Sequence, residues 1–190
     1  MKRTARRLTT TAAALLLSLA AQADPAVYPN PGTQPPASSF VAAASGQLKA
    51  FYTGAIGGLT VLLGARINGV DGPIGLDNQA SAYGDSFVLG TVSAGDSLVF
   101  FIDIDGSGVR YYSDPSLNSD GVNHAWAFAY AGDALVPAGT NVAFEDLDGG
   151  GDLNYDDHSF VYQISAVPEP ASWALLLAGA ATLAWRRRRI

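Results

Sequence analysis

The sequence predicts an all-β fold, an antiparallel β-sandwich or jelly-roll-like single domain that lies between two terminal targeting segments. Twenty glycines divide the chain between those segments into apolar stretches about as long as single strands. From Ala125 to Tyr130 alanines and aromatic residues alternate, which is typical of a strand with two unlike faces. Turn signals such as Asp71-Gly72-Pro73, Ala94-Gly95-Asp96 and Pro137-Ala138-Gly139 recur between the stretches. The predicted strands are 48–53, 59–67, 86–92, 97–103, 123–131, 141–145 and 158–164.

Residues 1–23 have the pattern of a secretory signal peptide. Four basic residues within the first seven positions precede an apolar run, which ends at an A-x-A cleavage site, Ala21-Gln22-Ala23. A short membrane anchor is the alternative, but the run is shorter than the roughly 20 residues that a spanning helix needs. We therefore expect export by the Sec machinery and a mature chain that begins at Asp24. Residues 24–39 are predicted to form an extended proline-rich leader, and residues 40–166 the sandwich domain.

The chain between its two targeting segments is strongly acidic. From Asp24 to Val167 it holds three basic and sixteen acidic residues, a net charge of −13. Because such a body repels phosphate backbones, we expect no nucleic-acid partner and expect cations instead. The sequence has no cysteine, which excludes disulfides, thiol nucleophiles and Cys-ligated metals.

The main candidate site is the acidic loop, defined as residues 145–157. It contains six carboxylates and one amide oxygen, with no lysine or arginine. Ca²⁺ takes about six to eight such oxygens, and three consecutive glycines let the backbone turn tightly around an ion. No helical pattern flanks the loop, so it is not an EF-hand. The sequence predicts a calcium site, with a hairpin solvated by water and monovalent ions as the alternative. The predicted ligands are Glu145, Asp146, Asp148, Asp152, Asn154, Asp156 and Asp157.

A weaker second candidate comprises Asp103, Asp105, Ser107 and Asp114. Counted from Asp103, their oxygens fall at positions 1, 3, 5 and 12 with glycine at position 6, which fits the spacing of a calcium loop. The preceding run has the pattern of a strand and not of a helix. A strand-to-strand turn rich in Asp and Gly explains the same residues.

The acidic loop also resembles the signature of a family of secreted bacterial β-domains of unknown function. The matching segments are Phe144-Glu145-Asp146, Gly149-Gly150-Gly151-Asp152 and Tyr155-Asp156-Asp157, with an upstream match from Asp120 to Ala125. At Asp156 the family commonly has Asn, so this chain carries one more negative charge there. Members of the family occur in adhesins and surface proteins. The resemblance therefore implies calcium-dependent surface binding more than catalysis.

The signals for enzymatic activity are weak. Gly95-Asp96-Ser97-Leu98 resembles a lipase and esterase motif, but Ser97 opens a predicted strand and no Asp-x-x-His follows. His124 and His158 are too few for a three-His zinc site. Paired carboxylates could in principle hydrolyse glycosidic bonds, although Trp126 is the only tryptophan outside the C-terminal segment.

Residues 167–190 resemble the PEP-CTERM sorting signal of Gram-negative bacteria that secrete exopolysaccharide. Pro168, Glu169 and Pro170 precede the uncharged stretch 171–185, which is followed by Arg186, Arg187, Arg188 and Arg189. As a helix, the stretch would be about 22 Å long, which is short for a membrane span, and the arginines should stay cytoplasmic. The resemblance implies processing by an exosortase. An ordinary C-terminal anchor with a chance Pro-Glu-Pro is the alternative.

These features together predict a non-enzymatic exported protein with an adhesive or structural role. Its tail would tether it to the inner membrane before processing, and its destination would be the cell surface or the exopolysaccharide matrix. Exopolysaccharide is a candidate partner. A small carbohydrate-binding or carbohydrate-active protein is the alternative function.

Overall fold

The computed structural model describes residues 27–166, in which two antiparallel sheets pack face to face. The first sheet has the spatial order β1 (Phe40–Val41), β6 (Ser97–Ile104), β3 (Val61–Ile67) and β4 (Val70–Asp77), and β7 (Val109–Tyr112) also pairs with β6. The second has the order β5 (Ser86–Val92), β2 (Gly46–Gly54), β10 (His158–Ser165), β9 (Gly139–Phe144) and β8 (Ala125–Tyr130). Two short 3-10 helices, Pro115–Leu117 and Asp148–Gly150, lie in loops. The predicted all-β sandwich is confirmed. The predicted signal helix and C-terminal helix lie outside the described residues.

Aromatic side chains from both sheets form the centre of the core. The Phe100 ring of β6 lies 5.2 Å from the Phe160 ring of β10, in an edge-to-face contact between the two sheets. Phe40 of β1 also packs edge-to-face against Phe100, with the same centroid distance. Because alternate residues of a strand face inward, each of the seven predicted strands contributes side chains to this core.

The seven predicted strands are present as β2, β3, β5, β6, β8, β9 and β10, whereas β1, β4 and β7 were not predicted. The predicted turn at Asp71-Gly72-Pro73 is wrong, because these residues lie inside β4. The chain reverses at Asn68 and Gly69, whose φ angles of 51° and 82° are left-handed. Proline is tolerated in β4 because the strand lies at the sheet edge and its pairing with β3 is interrupted by bulges.

Strand β10 occupies the middle of the second sheet. It pairs with β2 on one side and with β9 on the other. It begins directly after the acidic loop and ends at Ser165, where the sorting segment follows. A strand of this length spans about 26 Å. The acidic loop and the exit of the chain therefore lie at opposite ends of the sandwich.

The leader packs against the domain at the end that carries the acidic loop. Tyr28 is 5% exposed, and its ring lies 4.9 Å from Tyr155 and 5.1 Å from Trp126. The side-chain amide of Asn123 donates a hydrogen bond to the carbonyl of Pro35 (3.0 Å). These contacts could not be predicted from the sequence, because they join residues far apart in the chain.

Candidate metal centre at the acidic loop

The acidic loop connects β9 to β10 and closes on itself. His158 pairs with Phe144 across the two strands, and the Asp157 amide donates to the Phe144 carbonyl at 3.1 Å. Between these points Gly149, Gly150 and Gly151 have φ angles of 73°, 81° and 51°, which residues with side chains rarely adopt. As predicted, the three glycines let the chain fold back tightly.

Three carboxylates lie at the base of the loop, where the two strands meet. Glu145 and Asp146 are 1% and 2% exposed. One Glu145 oxygen, Oε1, accepts hydrogen bonds from the amides of Asn154 and Tyr155, the latter at 2.6 Å. Asp157 Oδ2 accepts the Asp146 amide at 3.0 Å. Asp146 Oδ2 is buried and has no hydrogen-bond partner among the described residues.

The electrostatics of the loop disfavour its full ionisation. Burial raises the pKa of Glu145 to about 8, with a further contribution from the charge of Asp157, although the two backbone amides oppose the shift. Burial and Asp157 likewise raise the pKa of Asp146, and burial raises the pKa values of Asp156 and Asp157. Within residues 27–166 no lysine or arginine forms an ion pair with the loop. The cluster therefore requires either protons or a cation.

We expect the free energy of unfolding without divalent cations to fall as the pH rises from about 6.5 to 8.5. A carboxyl with a raised folded-state pKa contributes its full stability below its unfolded pKa, near 4, and loses it as the pH rises through the folded value. Glu145 and Asp146 shift in this direction. Burial lowers the pKa of His158 to about 4, so this residue makes the folded state more stable as the pH rises to its unfolded pKa near 6.5. The window starts at about 6.5 because above that pH this opposite contribution no longer changes.

Urea unfolding in EGTA at a series of pH values measures this slope. The matched variant is Glu145→Gln, which keeps an oxygen to accept the two amides and removes the charge. It should flatten the slope, whereas an unfolding free energy that rises with pH in the wild type would contradict the prediction.

The other predicted ligands are divided between the interior and the surface of the loop. Asn154 donates from Nδ2 to Asp152 Oδ2 and accepts from the Asp156 amide, both at 3.0 Å, so the alternating residues bond with one another. Asp148 and Asp152 are exposed. In the described part of the chain no three His, Asp or Glu side chains are arranged so that they could hold a metal ion as they stand. An ion would therefore also need backbone carbonyls, or rotation of the Glu145, Asp146 or Asp157 side chain.

Asp120 was not predicted to support the loop, although it begins the upstream segment that resembles the secreted β-domain family. Its Oδ2 accepts a hydrogen bond from the Gly149 amide (2.8 Å) and contacts His124 Nε2 (2.9 Å). The other ring nitrogen of His124 faces the Glu145 carbonyl at 3.0 Å, and the ring stacks on Tyr111. Asp120 and His124 thus hold both the start and the glycine turn of the acidic loop.

The second candidate site forms a hairpin turn between β6 and β7. Asp103 Oδ2 forms an ion pair with Arg110 at 2.5 Å, and Asp105 is exposed in the turn. Ser107 donates to the Ile104 carbonyl at 2.8 Å, and Asp114 caps the 3-10 helix beyond β7 by accepting from the Ser116 amide. These hydrogen bonds are those of a strand-to-strand turn, the alternative that the sequence also allowed.

The lipase-like motif lies at a turn. Ser97 is the first residue of β6, and its amide donates to Asn68 Oδ1 at 2.9 Å. Asp96 Oδ2 accepts the Ser93 amide at 2.7 Å. The imidazole of His158 is buried and contacts the Leu76 carbonyl at 2.6 Å. These residues therefore have structural roles as turn and core residues.

Partly exposed aromatic rings follow β8 on the outer face of the second sheet. Trp126 and Phe128 stack on each other, with centroids 4.3 Å apart and planes at 24°. The edge of Tyr28 contacts Trp126 as well. Stacked rings cover each other's faces, and a sugar ring needs such a face in order to pack. This arrangement gives no support to an extended carbohydrate platform.

Comparison with known proteins identifies the C-terminal segment. Residues 166–189 match the PEP-CTERM protein-sorting motif, as predicted. The chain therefore carries an export and sorting signal of the kind that an exosortase processes. No curated protein sequence and no solved structure matches the chain. Within residues 27–166 no helix is long and apolar enough to cross a membrane, and the predicted span 171–185 lies outside that range.

Proposed function

We propose that this chain is a non-enzymatic, calcium-stabilised protein of the cell surface or exopolysaccharide matrix, with an adhesive or structural role. The observation that carries the proposal is the group formed by the buried Glu145 and Asp146 and the half-buried Asp157, in which Asp146 Oδ2 is buried and lacks a hydrogen-bond partner in the described chain. A buried carboxylate oxygen without a donor is costly unless a proton or a cation satisfies it. The sorting motif at residues 166–189 supports the destination.

Calcium suits these residues better than other common metal ions. Every candidate ligand is an oxygen, and Ca²⁺ accepts carboxylates and backbone carbonyls in flexible geometry. Glu145, Asp146 and Asp157 would hold the ion, together with carbonyls of the glycine turn. Binding would supply the positive charge that the loop lacks. It would also offset the repulsion of Glu145 and Asp146 by Asp157.

The burial of the same carboxylates argues against catalysis at this loop. A general acid or nucleophile must reach a substrate, but Glu145 and Asp146 are almost fully excluded from solvent. The described chain has two clefts, of about 300 and 370 Å³. The first is lined by residues 37–41, 97–99 and 113–115, and the second by residues 41, 43–44, 139–140 and 162–164. Neither has an acidic-loop residue in its lining.

Thermal unfolding in EGTA and in about 5 mM Ca²⁺ tests the proposal. At a hundredfold excess over the dissociation constant, an ion that binds only the folded state adds about 2.7 kcal/mol. For a domain of this size we expect the midpoint to rise by about 10 °C. Mg²⁺ at the same concentration is the control, because it demands octahedral geometry and should raise the midpoint much less. An unchanged midpoint in Ca²⁺ would contradict the metal site.

A further inference from the structure

The leader packs against one side of the acidic loop. It contacts loop residues, and one of them is hydrogen-bonded to a candidate cation ligand. We infer that residues 28–35 are a positioning element for the cation site, so that docking of the leader and binding of the ion strengthen each other. This inference rests on the proposed calcium site. It adds to that site a segment that lies more than 100 residues earlier in the chain.

The first line of contact runs from Tyr28 to Glu145. The Tyr28 ring packs edge-on against Tyr155, with centroids 4.9 Å apart. Tyr155 is fully buried, its hydroxyl donates to the Asn123 carbonyl at 2.8 Å, and its amide donates to Glu145 Oε1 at 2.6 Å. Tyr28 therefore helps to fix the residue whose backbone orients the Glu145 carboxylate.

The second line of contact joins the leader to the backbone of the loop. The Gly32 amide lies 3.1 Å from the Asp152 carbonyl and 3.3 Å from the Leu153 carbonyl, and it donates to both. Leu153 and Tyr155 have left-handed φ angles of 54° and 58°, which are costly for residues with side chains. Such a conformation persists only where surrounding contacts enforce it, and the leader supplies contacts at both positions.

Coupling between two binding events is reciprocal. If the docked leader raises the affinity of the loop for the ion, the ion must stabilise the docked leader by the same factor. After the predicted signal cleavage, Tyr28 would be the fifth residue of the mature chain. The complete site would then include the N-terminal end of the exported protein.

Calcium binding by the mature chain from Asp24, purified in detergent micelles, tests the coupling by calorimetry. Tyr28→Ala should weaken binding about fivefold or more, which is the lower range of typical coupling energies. Tyr28→Phe keeps the ring and should bind as the wild type does. The matched control is Tyr83→Ala, because Tyr83 bonds to Tyr130 and Asp133 and therefore lies away from the loop. It should leave the calcium affinity unchanged.

Hydrogen exchange provides a measurement that needs no leader variant. In the wild type, Ca²⁺ should slow exchange at the Gly32 amide, and Asp157→Asn should abolish that effect. The inference is overturned if the wild type binds calcium, Tyr28→Ala binds it with the same affinity, and the exchange rate of the Gly32 amide is the same with and without the ion. In that case the proposed function stands. If the wild type binds no calcium, both fail.

Discussion

Replacement of Arg186, Arg187, Arg188 and Arg189 by glutamine is expected to abolish processing of the tail and to release the unprocessed chain into the periplasm. Positive charges next to an apolar segment hold its end on the cytoplasmic side of the membrane. The predicted helix 171–185 is short for a span, so it depends on these charges more than a full-length span would. Because a chain whose tail is not held in the membrane leaves it, almost all of the variant should be found in the periplasm.

Mass spectrometry of surface and periplasmic fractions reads the outcome. In the wild type, the mature surface protein should end near Pro168 and lack peptides from the apolar stretch. Replacement of all four arginines by lysine is the matched control, since it keeps the charge and should keep the chain membrane-held. Intact peptides containing Trp185 in surface-exposed wild-type protein would show instead that the tail is a permanent anchor.

Asp146→Asn is expected to remove most of the calcium-induced rise in the unfolding midpoint. Asn occupies the same volume but replaces a buried negative oxygen by a neutral amide, so the ion loses a charged ligand while the fold keeps its packing. Without calcium, the variant should be at least as stable as the wild type above neutral pH. Relief of the repulsion between Asp146 and Asp157 is the reason.

The control for this variant also separates the two candidate sites. Asp105 is exposed in the turn between β6 and β7, and Asp105→Asn removes one carboxylate from the second candidate alone. The calcium response of this variant should equal that of the wild type. A response that is lost in Asp105→Asn and kept in Asp146→Asn would place the ion in the hairpin turn instead.

Sequence reasoning found the strands that coincide with apolar stretches between glycines and turn signals. In β8 the alternation of alanine and aromatic residues survives in the structure as two faces of one strand. Strand β4 was missed because Gly72 and Pro73 are usual signals of a turn. Here they lie in an edge strand with bulges, where a missing donor does little harm. Local composition cannot distinguish the two cases, because position in the sheet decides between them.

The candidate site was only partly predictable for a similar reason. The density of carboxylates in 145–157 indicated where charge accumulates, but it could not show which side chains are buried. Glu145, Asp146 and Asp157 come together because β9 and β10 pair at that point. The support from Asp120 and Tyr28 depends on contacts between distant parts of the chain, and no periodicity or motif spacing reports such contacts.

The central place of β10 determines how the domain would carry mechanical load. A partner held at the acidic loop and an attachment at the C-terminus would pull on the two ends of this single strand. The tension would then run along its covalent backbone, and the hydrogen bonds to β2 and β9 on either side would carry little of it. If the two points lay on different strands, the load would instead pass through the hydrogen bonds between those strands. Because both points lie on β10, such a pull would leave the rest of the sandwich almost unloaded.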